Sequence, residues 1–401
     1  MIMTREEQAR GFLENTQVSP LWARLTVICF WLMIFAAPLY QLCRESAEKG
    51  KAVEFGVLRL LPDKSRMRRV RSVRDAGKLF ASPQEIKDFE TSMEDGQYLS
   101  RALRPWAQYV LTVMLDTGNE KALTGRNGEL FYSEELKALL EPDPGRAQKA
   151  VGEILKLNEY LKTRGVTLIV MPVPNKLYIY PERFASGAWA SDESLDRLLA
   201  GLRERGCAVC DLFPVFRNNA DRDLFLKCDT HWTEFGLSLA AESLAEMTGP
   251  LGSPVPARQA LAANRGDIYD MLQLPRWQKK YKCQTVLLRQ PARMPKDSGI
   301  LLLGDSYSNI YSDSSLKWGK GAGLAERLFI ACGTGVDKLA LNAGGASASR
   351  KALYKDLVYS AKNHTSDILE GKDYVVYEFA QREIALGDWD ILDWTKIPYG
   401  D

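Results

Sequence analysis

The sequence predicts an α/β protein in three layers, a parallel sheet covered by helices on both faces, and three observations carry that prediction. Short apolar runs of strand length, such as Gly299-Ile300-Leu301-Leu302-Leu303, alternate with helix-length amphipathic segments. Strands separated by helices pair in parallel, and their unbroken apolar character marks burial on both faces. Two polar motifs, Asp229-Thr230-His231-Trp232 and Gly304-Asp305-Ser306-Tyr307-Ser308, stand at the expected ends of elements. Open α/β sheets place their chemistry there.

A chain of 401 residues has room for one large domain with accessories or two modest ones. Its 46% hydrophobic and 26% charged residues are ordinary for a folded protein. The net charge of +2 gives no reason to expect a nucleic-acid partner.

Residues 1–21 read as a polar tail. The stretch 25–42, LTVICFWLMIFAAPLYQL, carries no charge, and Trp22 and Tyr40 stand near its ends. About 18 apolar residues is the lower limit for a bilayer-spanning helix, and terminal aromatics suit the interface. The expectation is a transmembrane anchor over 22–43. A cleaved signal peptide lacks its small-x-small site, because Ile34 and Phe35 precede Ala36 and Ala37 by two residues. A buried soluble helix would show a polar face. Arg5, Arg10 and Arg24 before the run balance Arg44, Lys49 and Lys51 after it, so charge leaves the orientation open.

Residues 44–120 read as a basic linker and a helical segment. Arg66, Arg68, Arg69, Arg71 and Arg74 suit anionic head groups or an acidic polymer, and equally a solvated linker. Over 83–116, Leu99, Leu103, Trp106, Val110 and Val113 recur at helical spacing.

The main body is expected over 121–401. It opens at Gly125-Arg-Asn-Gly-Glu-Leu-Phe-Tyr132, where Asn127-Gly128 signals a hairpin turn. Helices are expected at 146–164, 191–205, 233–248 and 350–370. Strands are expected at 166–171, 208–212, 300–303, 336–341 and 374–379. Thr233 suits a helix N-cap and Glu234 its first turn. Cys207 and Cys210 look like a redox or zinc pair, but in a strand their side chains point to opposite faces and cannot bridge. Seven cysteines leave at least one unpaired within a chain, and pairing among Cys228, Cys283 and Cys332 stays open.

Serine, histidine and aspartate are the parts of a nucleophile, its base and the base's orienter. Ser306 ends the apolar strand. His231 is one of two histidines, and the other, His364, lies in the polar context Lys362-Asn363-His364-Thr365. Asp229 would hold the imidazole tautomer. Asp305 is a rival carboxylate that more readily fixes the turn. A metal held by Asp229 and His231 would want further ligands, and no histidine cluster or cysteine pair supplies them, so no metal is expected. Oxyanion donors are sought in the backbone of Ser306 or Tyr307, in Asn342 and in Gly344 after the next strand. Arg382, Lys176 and Tyr180 leave strand ends on the same edge and are candidates for substrate contact. Trp232 suits either a wall of the site or the core.

These motifs, with Gly-x-x-Gly-x-Leu-Phe-Tyr over 125–132 and Pro172-x-Pro174-x-Lys176 before Tyr180-Pro181, resemble the SGNH-hydrolase-like domain of the alginate O-acetyltransferases. The resemblance covers about residues 95–385, and the layout is similar to that family's membrane-anchored member. Glu129 and Cys228 depart from its pattern and leave the polymer open. The resemblance implies a circularly permuted SGNH fold with Ser306, His231 and Asp229 as triad and no cofactor. It implies acetyl transfer to an exopolysaccharide such as alginate at the periplasmic face of a bacterial inner membrane. It also implies a multi-spanning membrane O-acyltransferase as acetyl donor, and other exopolysaccharide assembly proteins as partners. An acetylesterase using the same triad and a non-catalytic polysaccharide-binding scaffold are the alternatives.

Overall fold

The computed structural model describes residues 19–49, 82, 85–87, 98–184, 192–253, 255–295 and 298–397. The chain divides into two units, Met1–Ala107 and Gln108–Asp401. In the first, helix α1 (Pro20–Lys49) is long and apolar enough over Pro20–Gln41 to cross a bilayer, and none of that stretch is buried. The five-arginine run at 66–74 lies outside the described residues. Of the helical pattern at 83–116, the described part includes α2 (Tyr98–Tyr109), which runs into a wider turn at Val110–Met114. Leu99, Leu103 and Trp106, which carry the helical spacing, are exposed.

The second unit opens with an antiparallel pair, β1 (Ala122–Thr124) and β2 (Leu130–Tyr132). Between them Asn127 and Gly128 both take positive φ, 56° and 75°, as their residue types predict. After α3 (Ser133–Leu140), helix α4 (Pro144–Thr163) begins on Asp143, whose carboxylate accepts from the Arg146 N–H. Then come β3 (Thr167–Val173), α5 (Glu193–Arg203), β4 (Ala208–Val209), α6 (Leu212–Arg217) and α7 (Glu234–Thr248). Thr233 caps α7 by accepting from the Gly236 N–H at 3.2 Å.

A second antiparallel pair, β5 (Ala257–Asn264) and β6 (Gln284–Pro291), encloses the short α8 (Asp267–Leu272). Neither strand nor helix was expected there. The alanine-rich β5 carries little β-propensity of its own, and its pairing with β6 supplies the strand. The chain then runs through β7 (Ser298–Gly304), the single turn α9 (Ser306–Asn309), α10 (Leu324–Cys332), β8 (Gly335–Ala340), α11 (Gly345–Asn363), β9 (Tyr374–Ala380) and α12 (Glu383–Leu386).

The main sheet has the order β4-β3-β9-β7-β8, every pairing parallel. Alternate residues serve opposite cores, as the period of two requires. Ile169, Met171, Ile300, Leu302 and Val376 pack with α6, α7 and α10. Leu168, Val170, Leu301, Leu303, Val375 and Tyr377 pack with α4, α5 and α11. This is the expected three-layer architecture. Cys207 falls in one core and Cys210 in the other, and burial pushes their thiols up to about 11 and about 12.

Parallel pairing brings the C-terminal ends of β7, β8 and β9 to one edge. Leu303 pairs with both Leu339 and Tyr377, so Ser306, Asn342 and Arg382 emerge side by side.

Candidate active site

The nucleophile turn is built from Gly304 onward. A Cβ at Gly304 would meet the Ser308 Oγ at 2.2 Å and the Glu378 Oε2 at 2.8 Å, so the turn needs glycine. Asp305 caps α9, its Oδ1 accepting from the Tyr307 N–H at 2.8 Å. Beneath it, Glu378 of β9 accepts from the Ser308 hydroxyl at 2.6 Å and the Asp305 N–H at 3.1 Å. Burial and the neighbouring Asp305 hold the Glu378 pKa well above the carboxylate range.

Ser306 is half-buried, and its Oγ lies 2.8 Å from His231 Nε2. His231 Nδ1 lies 2.6 Å from Asp229 Oδ1, which also accepts from the His231 backbone N–H at 3.0 Å. The other carboxylate oxygen accepts from Trp318 Nε1 at 2.8 Å and from the Asp267 N–H at 3.0 Å. Four donors therefore saturate a fully buried carboxylate. Burial opposes its ionisation, but the charge of His231 and these hydrogen bonds outweigh it, and the pKa is lowered. Burial likewise opposes charge on His231, and Asp229 outweighs it, so the imidazole pKa is raised. An N–H at Nδ1 leaves Nε2 as the acceptor facing Ser306, the geometry of a general base on a nucleophile.

These groups open on a cleft of about 490 Å³ lined by Tyr132, Thr230, His231, Asp267, Ser306, Asn342, Ala343, Gly345 and Arg382, among others. The Arg382 guanidinium lies 5.4 Å from the centre of the Tyr132 ring, and its Nη1 has no hydrogen-bond partner among the described residues. Burial works against its charge, but Tyr307, Asp305, Glu135 and Glu383 outweigh that and raise its pKa. A fixed cation thus faces the cleft, as the strand-end position predicted.

Asn342 lines the cleft, its side chain accepting from Asn309 at 2.9 Å and donating to Asp313 at 2.8 Å. Gly344 does not line it. Its neighbours Ala343 and Gly345 form the wall instead, both at φ 55°. Tyr307 is also corrected as an oxyanion donor, because its N–H is spent on Asp305. Its buried phenol donates to the Thr230 carbonyl at 2.6 Å and so braces the catalytic turn. The Ser306 N–H has no acceptor among the described residues and remains the donor available at the nucleophile.

Two further expectations give way to packing, and the two readings of Trp232 are decided by it. Lys176 is 1% exposed, and its ammonium donates to the carbonyls of Leu130, Leu226 and Lys227 at 2.8, 2.7 and 2.7 Å, with Glu129 at 3.4 Å. It ties β2 to the segment leading into Asp229 and reaches no substrate. Tyr180 is fully buried, donating to the Arg222 carbonyl at 2.5 Å and accepting from the Leu224 N–H at 2.7 Å. Trp232 is fully buried edge-on to Tyr307 at 5.3 Å, which settles it as core. Lys176 and Tyr180 follow the C-terminal end of β3 but turn inward by side chain.

Asp267, Trp318, Thr230 and Tyr132 join the site without having been singled out for it. Tyr132 stood in the quoted Leu-Phe-Tyr motif. Asp267 opens the short α8 and Trp318 lies in a loop, and neither segment carries a periodic signal. Asp267 also adds a third group of metal-ligand type to Asp229 and His231, one ligand atom from each lying within 4.8 Å of the others. The hydrogen bonds above already commit Asp229 and the Nδ1 of His231 to protein partners.

Residues 122–355 match the family described as SGNH hydrolase-like domain, acetyltransferase AlgX. The chain is 31% identical over 140 residues to a probable alginate O-acetylase AlgJ of Pseudomonas putida, covering 33% of this chain and 35% of that protein. It is 28% identical over 179 residues to the corresponding protein of Pseudomonas aeruginosa, covering 42% and 45%. The matched stretches therefore span less than half the length of these relatives. The solved O-acetyltransferase domain of Pseudomonas putida AlgJ shares the fold at a TM-score of 0.50 and 22% identity, covering 66% of this chain and 92% of that one. With the family match covering more than half its length, the chain belongs to the SGNH hydrolase-like acetyltransferase AlgX family.

Proposed function

We propose that this protein is an O-acetyltransferase that carries an acetyl group on Ser306 to hydroxyls of a bacterial exopolysaccharide. The observation that carries the reading is the continuous relay Ser306–His231–Asp229, at 2.8 and 2.6 Å, opening on the cleft. His231 Nε2 takes the Ser306 proton as Oγ attacks the acetyl carbonyl of a donor ester. The same nitrogen returns that proton to the departing alkoxide, leaving acetyl-Ser306. A sugar hydroxyl then gives its proton to Nε2 and attacks the acyl carbon, and the departing Ser306 Oγ takes that proton back from Nε2 as the acetyl–serine bond breaks. Asp229, held ionised by its four donors, stabilises the imidazolium formed in both halves. The Ser306 N–H, with the backbone N–H groups of Ala343 and Gly345 in the cleft wall, suits the oxyanion.

The relatives named as alginate O-acetylases support a polysaccharide acceptor. A catalytic body over 121–401 in the periplasm, tethered by residues 22–43, fits the apolar α1. A multi-spanning membrane O-acyltransferase as acetyl donor, and further exopolysaccharide assembly proteins as partners, complete the reading. Water in place of the sugar would make the same relay an acetylesterase.

The test is to incubate the full chain with a small acetyl ester and oligosaccharides, alginate fragments among them, and to weigh the products. Acetylated sugar is the expected outcome. Alanine at Ser306, His231 or Asp229 should each cost roughly 10⁴-fold or more, and double variants little more than singles, because triad losses are non-additive. Because His231 must be neutral to accept the proton and its pKa is raised above 6.5, activity should climb with pH through that higher value. Full activity in folded Ser306→Ala would refute the mechanism.

A further inference from the structure

A second carboxylate reaches the catalytic turn from outside the relay. Asp267 begins α8, and its backbone N–H donates to Asp229 at 3.0 Å. Its Oδ1 accepts from the Thr230 N–H at 2.8 Å and its Oδ2 from the Thr230 hydroxyl at 2.6 Å. The same hydroxyl oxygen lies 3.1 Å from His231 Nδ1, and Asp267 Oδ2 itself lies 3.7 Å from that nitrogen. We propose that Asp267 is a positioning residue of the acetyl-transfer reaction, fixing the His231 tautomer through Thr230 and stabilising the imidazolium by its own charge. The inference rests on the proposed role of the Ser306–His231–Asp229 relay.

The direction of one proton explains the arrangement. A hydroxyl has a single hydrogen, and ionised Asp267 draws it away from the ring. The lone pairs of Thr230 Oγ1 are then left to accept from an N–H at Nδ1. Asp229 imposes the same tautomer from the other side, so Nε2 is the nitrogen left to accept from Ser306. A protonated Asp267 would instead donate to Thr230, freeing the threonine hydrogen to turn toward Nδ1 and favour the wrong tautomer.

The charge of Asp267 is adjustable where that of Asp229 is not. Its side chain is 35% exposed to the cleft. Burial and the adjacent Asp229 push its pKa up to about 6, against the opposing pull of His231. Asp229 and His231 face it from the catalytic turn, Tyr132 from β2 and Tyr307 from α9, and Arg382 is the cation across the cleft. Ionised Asp267 raises the His231 pKa and so favours the imidazolium of the transition state.

The experiment compares wild type, Asp267→Asn, Thr230→Val and Thr230→Ser in the full chain. Two readouts are taken: the pH profile of small acetyl ester hydrolysis, and the protonation midpoint of the His231 imidazole by nitrogen NMR. His364 is the only other histidine to assign. Asp267→Asn should lower kcat about tenfold at an unchanged KM. It should also move the His231 midpoint down by about one pH unit, the effect of losing a nearby opposite charge. Thr230→Val should lower kcat with a smaller midpoint shift, since the charge remains, and Thr230→Ser should restore wild-type behaviour. A folded Asp267→Asn with wild-type midpoint and kcat profile overturns the inference. If that variant does not fold, wild-type kcat in Thr230→Val overturns it and a selective kcat loss supports it. If wild type shows no acetyl chemistry, the proposed function fails, and the midpoint in Asp267→Asn still decides this inference.

Discussion

Replacing Lys176 with methionine removes an ammonium from the interior while keeping most of its stem. Four acceptors converge on that ammonium: the carbonyls of Leu130, Leu226 and Lys227 within 2.8 Å and the Glu129 carboxylate at 3.4 Å. Glu129 retains Arg183 at 2.6 Å, so its charge is not left alone. The three carbonyls lose their charged donor in a site that water does not reach. Breaking a buried, hydrogen-bonded charge in this way costs about 3–5 kcal/mol. For a body of this size each kcal/mol lowers Tm by about 2–4 °C, giving a fall of roughly 6–20 °C. Thermal unfolding followed by circular dichroism reads this directly. Because Leu226 and Lys227 lead into Asp229, ester hydrolysis and polymer transfer should fall together. An unchanged Tm with loss confined to polymer transfer would refute the reasoning and return Lys176 to the sugar-contact role its position suggested.

Trp318→Phe removes one of the four donors on Asp229. A hydrogen bond to a charged group is worth about 1.5–3 kcal/mol, so stability should drop by that amount and kcat roughly tenfold with it; denaturant midpoints and ester kinetics check both. Glu378→Gln mimics the neutral carboxyl that burial enforces. The raised pKa of Glu378 stabilises the fold below its unfolded value of 4.5, and that stability fades as pH rises through the folded value. The variant should therefore match wild type near pH 5 and exceed it in Tm under alkaline conditions, and thermal melts across pH will tell. Gly266→Ala places a Cβ 2.2 Å from the Cys228 carbonyl oxygen and 2.9 Å from the Asp229 Cβ at a φ of 123°. It should cost about 3 kcal/mol or more, together with most activity, measured by denaturant unfolding and ester turnover.

The alternation of apolar strands and helices determined the sheet, its parallel sense and its two cores, because burial on both faces leaves a continuous hydrophobic signal along β3, β7 and β9. The same pattern placed Asp229, His231, Ser306 and Arg382 at strand or turn ends, where main-chain geometry alone brings them to one edge. Backbone position did not decide side-chain direction. Lys176 and Tyr180 leave the same edge as Arg382, yet carbonyls from β2 and from the run before Asp229 turn them inward. Those acceptors are distant in sequence, so no local pattern announces them. Asp267 and Trp318 converge on Asp229 for the same reason. Asp267 opens α8 and Trp318 lies in a loop 51 residues further on, and only the folded chain brings their donors within 3.0 Å of one carboxylate.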